Sequence, residues 1–460
     1  MPTILGANTL STGYDVANSL RFDDGSSAYL NRTPSSASNR TTWTWSAWIK
    51  RSNLTGGQMA LFGAKADSSN DTGIWLQSDD TLQFFNNVSG TVKQIRTNRL
   101  FRDSTAWYHI VAVWDSDNGT AGNRMRLYIN GVEETSFGTD TNPGSGDNST
   151  INNTEVHQIG RVDTTYYFDG YMAEVCFIDG QALDATSFGE FDEDSPTQWK
   201  PKKVSTLTFG TNGFYLEFKQ SGTSQNSSGM GADTSGNDNH YATGGLAAVD
   251  QSTDTCTNNF AIMNPFNKGG DITVSEGNLK VSNGNSDNSI LGSIGLGHGN
   301  WYWEAKCTGQ TTYANIGITL ASADGTIHST VDAGRIVYSH NGYVYKEGLS
   351  GQSNVSGLAT FTTNDIISVA YDGENGSVKF YKGGVLINTT TDSDLVFSHS
   401  SDNEYIPSIG INQGGFELNF GSPIYSISSG NADANGYGNF EYAVPSGYFA
   451  LCTKNLAEYG

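Results

Sequence analysis

A chain of 460 residues with 47 Asp and Glu against 25 Lys and Arg carries a formal net charge of -22, a surface that repels nucleic-acid phosphates and anionic membranes. Its 55 Gly, its 12% aromatic content and its shortage of Leu, Ala, Glu and Lys runs favour strands and tight turns over helices. The composition therefore argues against nucleic-acid binding and helical architectures and predicts an all-β protein of many short strands.

The opening MPTILGANTL has no basic stretch ahead of an apolar one, so no secretory signal is read and synthesis in a cytoplasm is expected. No run of 18 apolar residues exists, so neither a spanning helix nor membrane insertion is expected. Residues 1–18 read as a polar arm in which Ile4, Leu5, Leu10 and Val16 are available to insert against a neighbour. Residues 43–50 are WTWSAWIK, with Trp43 and Trp45 alternating as strand residues do. Residues 109–136, HIVAVWDSDNGTAGNRMRLYINGVEETS, give an apolar strand ending in Trp114-Asp115, a Gly/Asn turn, a strand through Met125 to Tyr128, and a turn at Asn130-Gly131-Val132. The region closes near residue 200 with EFDEDSP and QWKPKKV. Residues 201–265 hold one strand, Phe214 to Phe218, in a Gly/Ser/Asn/Asp-rich stretch expected to cover neighbouring sheets rather than form its own core.

The first pattern then recurs. Residues 301–307 are WYWEAKC, and residues 367–391, ISVAYDGENGSVKFYKGGVLINTTT, repeat strand, aromatic-Asp, turn, strand and Gly-Val turn. Trp43 and Asp115 are 72 positions apart; Trp301 and Asp372 are 71 apart. Order and spacing together mark an internal duplication. Two antiparallel sandwiches in tandem are predicted, residues 19–200 and 266–425, with Trp45 and Trp303 in matching strands and the tryptophans serving as core anchors. A tail, 426–460, begins with the flexible-looking SSGNADANGYGN and ends with Tyr448, Phe449 and Leu451.

Catalytic motifs are sparse. The densest acid run, Glu190, Asp192 and Asp194, lacks alternating apolar residues and reads as a solvated loop; Glu304 lies on a strand without a second acid nearby. No nucleophile elbow or zinc motif is found, and a non-enzyme is expected. Cys176, Cys256, Cys307 and Cys452 form no C-x-x-C pair and read as packed thiols. Loop carboxylates at Asp67, Asp71, Asp115, Asp117, Asp163 and Asp169 are oxygen donors suited to calcium, or simply turn-capping residues. Tyr166 and Tyr167, and Tyr343 and Tyr345, lie near turns and are candidates for stacking on sugar rings, with a structural role as the alternative.

The motifs WTWSAWIKRS, WYHIVAVWD, MRLYINGVEE and YFDGYMAEVCFIDGQAL resemble a laminin G-like domain of the concanavalin A-like superfamily. GNWYWEAKCTG, NIGITL, DIISVAYDGENGSVKFYKGG and YIPSIGINQGGFELNFG resemble a SPRY domain. Between and after them, GFYLEFKQSG, DTSGNDNHYATGG, TDTCTNNFAIMNP and VPSGYFALCTKNL are similar to segments of a family of tailed-phage virion proteins that combines the two domains. The resemblance implies a non-catalytic protein on the virion surface. It implies a tail-fibre or appendage component that recognises host cell-surface glycan, contacts other virion proteins and forms a homo-oligomer. The alternative is a capsid decoration or head-fibre protein, and a polysaccharide-degrading tailspike is disfavoured for want of an acid pair. No cofactor is required, but laminin G-like domains often hold calcium at the sandwich rim, and Asp163 and Asp169 resemble the loop involved.

Overall fold

The computed structural model describes residues 13–54, 57–284, 286–323, 334–347, 354–387 and 404–460. The chain divides into two compact units, Leu10–Thr257 and one built on Asn258–Gly460. Both are β-sandwiches, as the composition predicts.

The first unit packs two sheets over one core. The strand Thr42–Arg51 lies between Tyr108–Asp115 and Gly170–Asp179 in the first sheet; Asn70–Leu76, Thr81–Val88 and Thr91–Leu100 run side by side in the second. Trp43 and Trp45 are fully buried between them, Trp45 stacked on Phe62 across the sandwich with ring centroids 6.0 Å apart.

The two W-x-W segments occupy the same place in the same ladder. Trp43 faces Trp114 and Thr42 faces Asp115; Trp301 faces Tyr371 and Asn300 faces Asp372. The next pairings match as well, Ala112 with Leu127 and Val369 with Phe380, then Tyr128 with Glu133 and Tyr381 with Leu386. Residues 388–391 of the second hairpin lie outside the described residues. The likeness extends to the closing turn, where Gly131 and Gly384 sit at φ +82° and +76°. A Cβ there would stand 2.2 Å from the Trp199 ring in one case and 2.7 Å from the Tyr442 ring in the other, so only glycine admits the covering aromatic.

Those aromatics belong to wraps. Residues 201–257 lie within the first unit and cover its sheets. Phe209, Tyr215 and Cys256, with Phe188 and Trp199, cover Trp48, Val111, Val113 and Tyr171 on the outer side of the first sheet. Phe214–Leu216, Ala242–Gly244 and Gln251–Ser252 also add short strands to its sheets. Likewise the tail folds back on the second unit: Phe440, Tyr448, Ala450 and Cys452 cover Tyr302 and Ala370, and Phe449–Ala450 pairs parallel to Trp301 and Tyr302. The glycine-rich start of that tail is ordered around buried Asp433, whose carboxylate accepts from the backbone of Asn435, Tyr437 and Ala450 and from the Asn455 carboxamide. Of the arm, Ile4, Leu5 and Leu10 lie outside the described residues, while Val16 is buried under the first unit's wrap.

The second unit is one sheet folded on itself. Asn300–Leu320 and Tyr405–Asn419 pair along nearly their whole length, with register shifts between Cys307 and Gly309 and between Gln310 and Tyr313. Gly309 and Gly414 meet at this crease, where a Cβ on Gly414 would lie 1.9 Å from a carbonyl oxygen. Folding brings Tyr338, from the far half, to 5.7 Å from the Phe380 ring.

Glu304 is the clasp of this unit's tail. Fully buried, it accepts 2.9 Å hydrogen bonds from the backbone N–H groups of Glu441 and Tyr442 and from the Tyr302 hydroxyl. Burial raises its pKa, and the backbone donors hold it down in part. Glu304→Gln puts an amide donor against a backbone donor, and should cost about 2 kcal/mol. Amide exchange at Glu441 and Tyr442 should quicken at least tenfold; unchanged exchange there would remove the clasp role.

Candidate functional site

Alternation along the second sheet of the first unit sends Ile74, Leu76, Leu82, Phe84 and Ile95 into the core. Trp75, Gln83, Phe85, Gln94 and Arg96 therefore take the opposite face. Cross-strand register places Trp75 beside Gln83, Gln83 beside Arg96, and Phe85 beside Gln94. The Trp75 indole lies over Gly73, where a Cβ would come within 2.3 Å of Nε1, and meets Phe85 edge-on at 5.0 Å. Tyr166 lies against it at 4.7 Å and 34°, with 39% of its surface open to solvent. A hydrogen bond from the Ala60 N–H to its carbonyl (2.8 Å) pins Tyr166 in a left-handed conformation, φ 60°. Beside this aromatic step runs a row of carboxamides: Gln58 donates to Gln77 (2.6 Å), Gln77 to Gln83 (2.5 Å), and Gln83 to Gln94. Tyr166 is thus the exposed aromatic of this face, backed by the buried cluster of Trp75, Phe85, Ala60 and Val162 and flanked by groups that both donate and accept.

Of the other tyrosines singled out from sequence, Tyr167 faces a different partner. Arg161 donates to its hydroxyl (3.0 Å) and stacks over Tyr29, 3.3 Å from the ring centre, so Tyr167 is tied into a structural stack. Tyr343 and Tyr345 flank buried Val344 and so share one face of their strand. Their rings stack at 5.6 Å and 12°, and Asn341 donates to the Tyr345 hydroxyl.

The calcium pair is divided. Asp163 forms an ion pair with Lys65 at 2.7 Å, which pulls its pKa down, while Asp169 joins Asp23 and Asp24, whose carboxylate oxygens lie within 4.8 Å of its own. Strand pairing makes this cluster: Phe22 faces Gly170, so the residues just beyond both strand ends meet at the sandwich rim. Three hard oxygen donors fit calcium, and burial together with the Asp23 charge raises the Asp24 pKa. The remaining acids are bound within the fold: Asp67 and Asp115 cap turns, accepting from Ser69 and Asn70 and from Asn118, while Asp71 accepts across the sheet from Asn87 and Asp117 accepts from Thr41.

The acid run and the Ser46–His109 contact are both tied into the fold. The acid run expected to be a solvated loop is partly a hairpin, with Glu190 exposed and Asp192 bound to Lys200 at 3.0 Å. Ser46 and His109 lie 2.9 Å apart, but Trp199 donates its indole N–H to His109 Nδ1. The proton therefore sits on Nε2 and points at the hydroxyl, the wrong tautomer for a general base. Full burial also lowers the His109 pKa to about 3.

A family model described as the concanavalin A-like lectin/glucanases superfamily matches residues 24–186, and the SPRY domain model matches residues 300–423. Among solved structures, the chain is similar to a heptameric SAP-like pentraxin from Limulus polyphemus, at 20% identity and a TM-score of 0.28, covering 37% of this chain and 80% of that one. It is also similar to the SPRY domain of human HERC1, at 17% identity and a TM-score of 0.27, covering 34% of this chain and 96% of that one. No curated protein sequence matches. The chain carries a laminin G-like, concanavalin A-like domain followed by a SPRY domain.

Proposed function

We propose that this is a non-catalytic carbohydrate-recognition protein, carried on the surface of a tailed-phage particle as a tail-fibre or appendage component that recognises host glycan. The observation that carries the recognition reading is the Tyr166–Trp75 step beside the glutamine row. Aromatic faces pack against the C–H faces of sugar rings, and carboxamides match hydroxyls that donate and accept. The virion placement is supported by the order of the sequence motifs, from the W-x-W sandwich through to VPSGYFALCTKNL. Asp23, Asp24 and Asp169 would hold a calcium ion, which would neutralise their mutual repulsion and fix the rim loops.

Binding to purified host surface polysaccharide, read by calorimetry, tests the first part. Trp75→Ala and Tyr166→Ala should each weaken binding about tenfold or more, with the melting temperature of Tyr166→Ala within 2 °C of wild type, roughly the neutrality expected at a surface site. Wild-type affinity in both variants rejects this face. Immunogold labelling of particles tests the placement. Calcium at about a hundred times its dissociation constant should add roughly 2.7 kcal/mol, and Asp24→Asn should abolish that gain. A melting curve indifferent to calcium and EDTA removes the ion alone.

A further inference from the structure

We propose that the open end of the first sandwich is a second saccharide site, selective for an acidic sugar residue; the proposal rests on the carbohydrate reading above. Three adjacent strands change character along their inward-facing positions. Leu76 and Ile74 are followed by Thr72 and Asn70, Leu82 and Phe84 by Asn86, and Ile95 by Lys93. A sandwich gains stability by continuing its apolar face, so a switch to polar residues partway along the strands calls for another purpose. Beyond the switch opens a cleft of about 650 Å³, within the size range of small-molecule sites.

Its floor is built rather than frayed. Asn86, 1% exposed, accepts from the Thr72 hydroxyl (2.6 Å) and donates to the Asn148 carbonyl (3.3 Å). The Thr150 N–H donates to the same hydroxyl at 2.8 Å, stapling the covering loop to the strands. Into this cleft the chain places Arg40 and Lys93. In a protein with 47 acids and 25 bases, neither makes a direct ion pair among the described residues, and only the Glu155 carboxylate acts on Arg40 from farther off. Arg40 spends only Nε, on the Ser149 carbonyl (2.8 Å), leaving its remaining N–H groups for a ligand. The one lining acid, Asp147, is engaged by the Gly144 N–H at 2.6 Å. The carboxamides of Asn148 and Asn153 also line the cleft, with no protein partner among the described residues. A guanidinium, an ammonium and two open amides match a carboxylate set on a hydroxylated ring. A polyanion such as nucleic acid would meet the field of a -22 body instead.

The test uses the full chain on an array of glucuronate-, galacturonate- and sialate-bearing oligosaccharides, each beside its uncharged methyl ester. At least one acid should be retained tenfold or more over its ester. Lys93→Gln, at a half-exposed side chain, should bring that ratio near one, whereas Trp75→Ala should leave it unchanged. Arg40→Gln should act like Lys93→Gln, checked by circular dichroism for folding. Equal retention of acids and esters, or a ratio untouched by Lys93→Gln, overturns the proposal. Binding of neutral glycans lost with Trp75→Ala would in that case leave the carbohydrate reading standing, and an array with nothing retained would end both.

Discussion

Asp254→Ala should destabilise the first unit by about 3–5 kcal/mol, the loss expected when one partner of a buried ion pair is removed. Lys50 and Asp254 meet at 2.5 Å with side chains 0% and 1% exposed. The ammonium lies 5.1 Å from the Tyr171 ring centre and 6.0 Å from that of Trp107, and the Trp107 indole donates to the other carboxylate oxygen at 3.3 Å. Water cannot easily reach the lysine under those rings, so the variant must hold the ammonium there without the Asp254 carboxylate or deprotonate it. Lys50→Gln together with Asp254→Asn removes both charges and keeps an acceptor for Trp107. That double variant should recover more than half of the loss, because the pair's desolvation cost disappears along with its attraction. Urea unfolding followed by tryptophan fluorescence measures all three proteins. A loss below about 1 kcal/mol for Asp254→Ala would mean that residues 201–257 are not integral to the sandwich.

The result bears on why the wraps were hard to read. The duplication was legible because both copies combine long alternating strands with Gly or Asn turns, signals that survive in a single sequence. Beyond the strand read at Phe214 to Phe218, the wrap pairs through strands of two or three residues, Ala242–Gly244 and Gln251–Ser252, too short for any periodicity to register. What holds it are isolated aromatics and polar groups on the outer side of the first sheet, among them Lys50, and Arg21 bound to Asp250 at 2.8 Å. On an open sheet such residues read as solvent-facing, and only the covering segment gives them partners.

The candidate site was legible by halves for similar reasons. Tyr166, Tyr343 and Tyr345 stand out as aromatics beside turns. Trp75 was missed because Ile74, Trp75 and Leu76 read as one apolar run, in which the outward member is marked only by the preceding Gly73. The glutamines lie far apart in sequence and are joined only by strand register. The rim acids Asp23 and Asp24 lie at the opposite end of the domain's sequence from Asp169, and the pairing of Phe22 with Gly170 unites them. Asp163, chosen for its place in the same loop as Asp169, is taken by Lys65, a partner set by tertiary packing rather than by spacing.

Glu174→Gln should be more stable than the wild type at pH 8, by roughly 3 kcal/mol, and indistinguishable from it near pH 4. Glu174 sits at φ +52° at the register shift in Gly170–Asp179 and is nearly enclosed. Tyr215 and Tyr14 both donate to its Oε2, the latter at 3.1 Å, with the two hydroxyls 3.0 Å apart. Burial raises its pKa from 4.5 to about 7; the Glu217 charge adds to this, and the two hydroxyls and Lys219 oppose it. The folded protein thus holds this proton more tightly than the unfolded chain does. Its contribution to stability is complete below about pH 4.5 and is lost as the pH rises through about 7. The substituted carboxamide has the shape of the protonated acid and keeps an oxygen for both tyrosines, so it should hold the low-pH stability at every pH. Glu217, Lys219, Tyr14 and Tyr215 are unchanged in the variant, so the difference between the two denaturation profiles isolates the one carboxyl. Parallel profiles from pH 4 to 8 would show that Glu174 titrates as it does in the unfolded chain. A gap opening between pH 5 and 7 would show that the segment carrying Tyr14 is fastened to the sheet through a neutral acid.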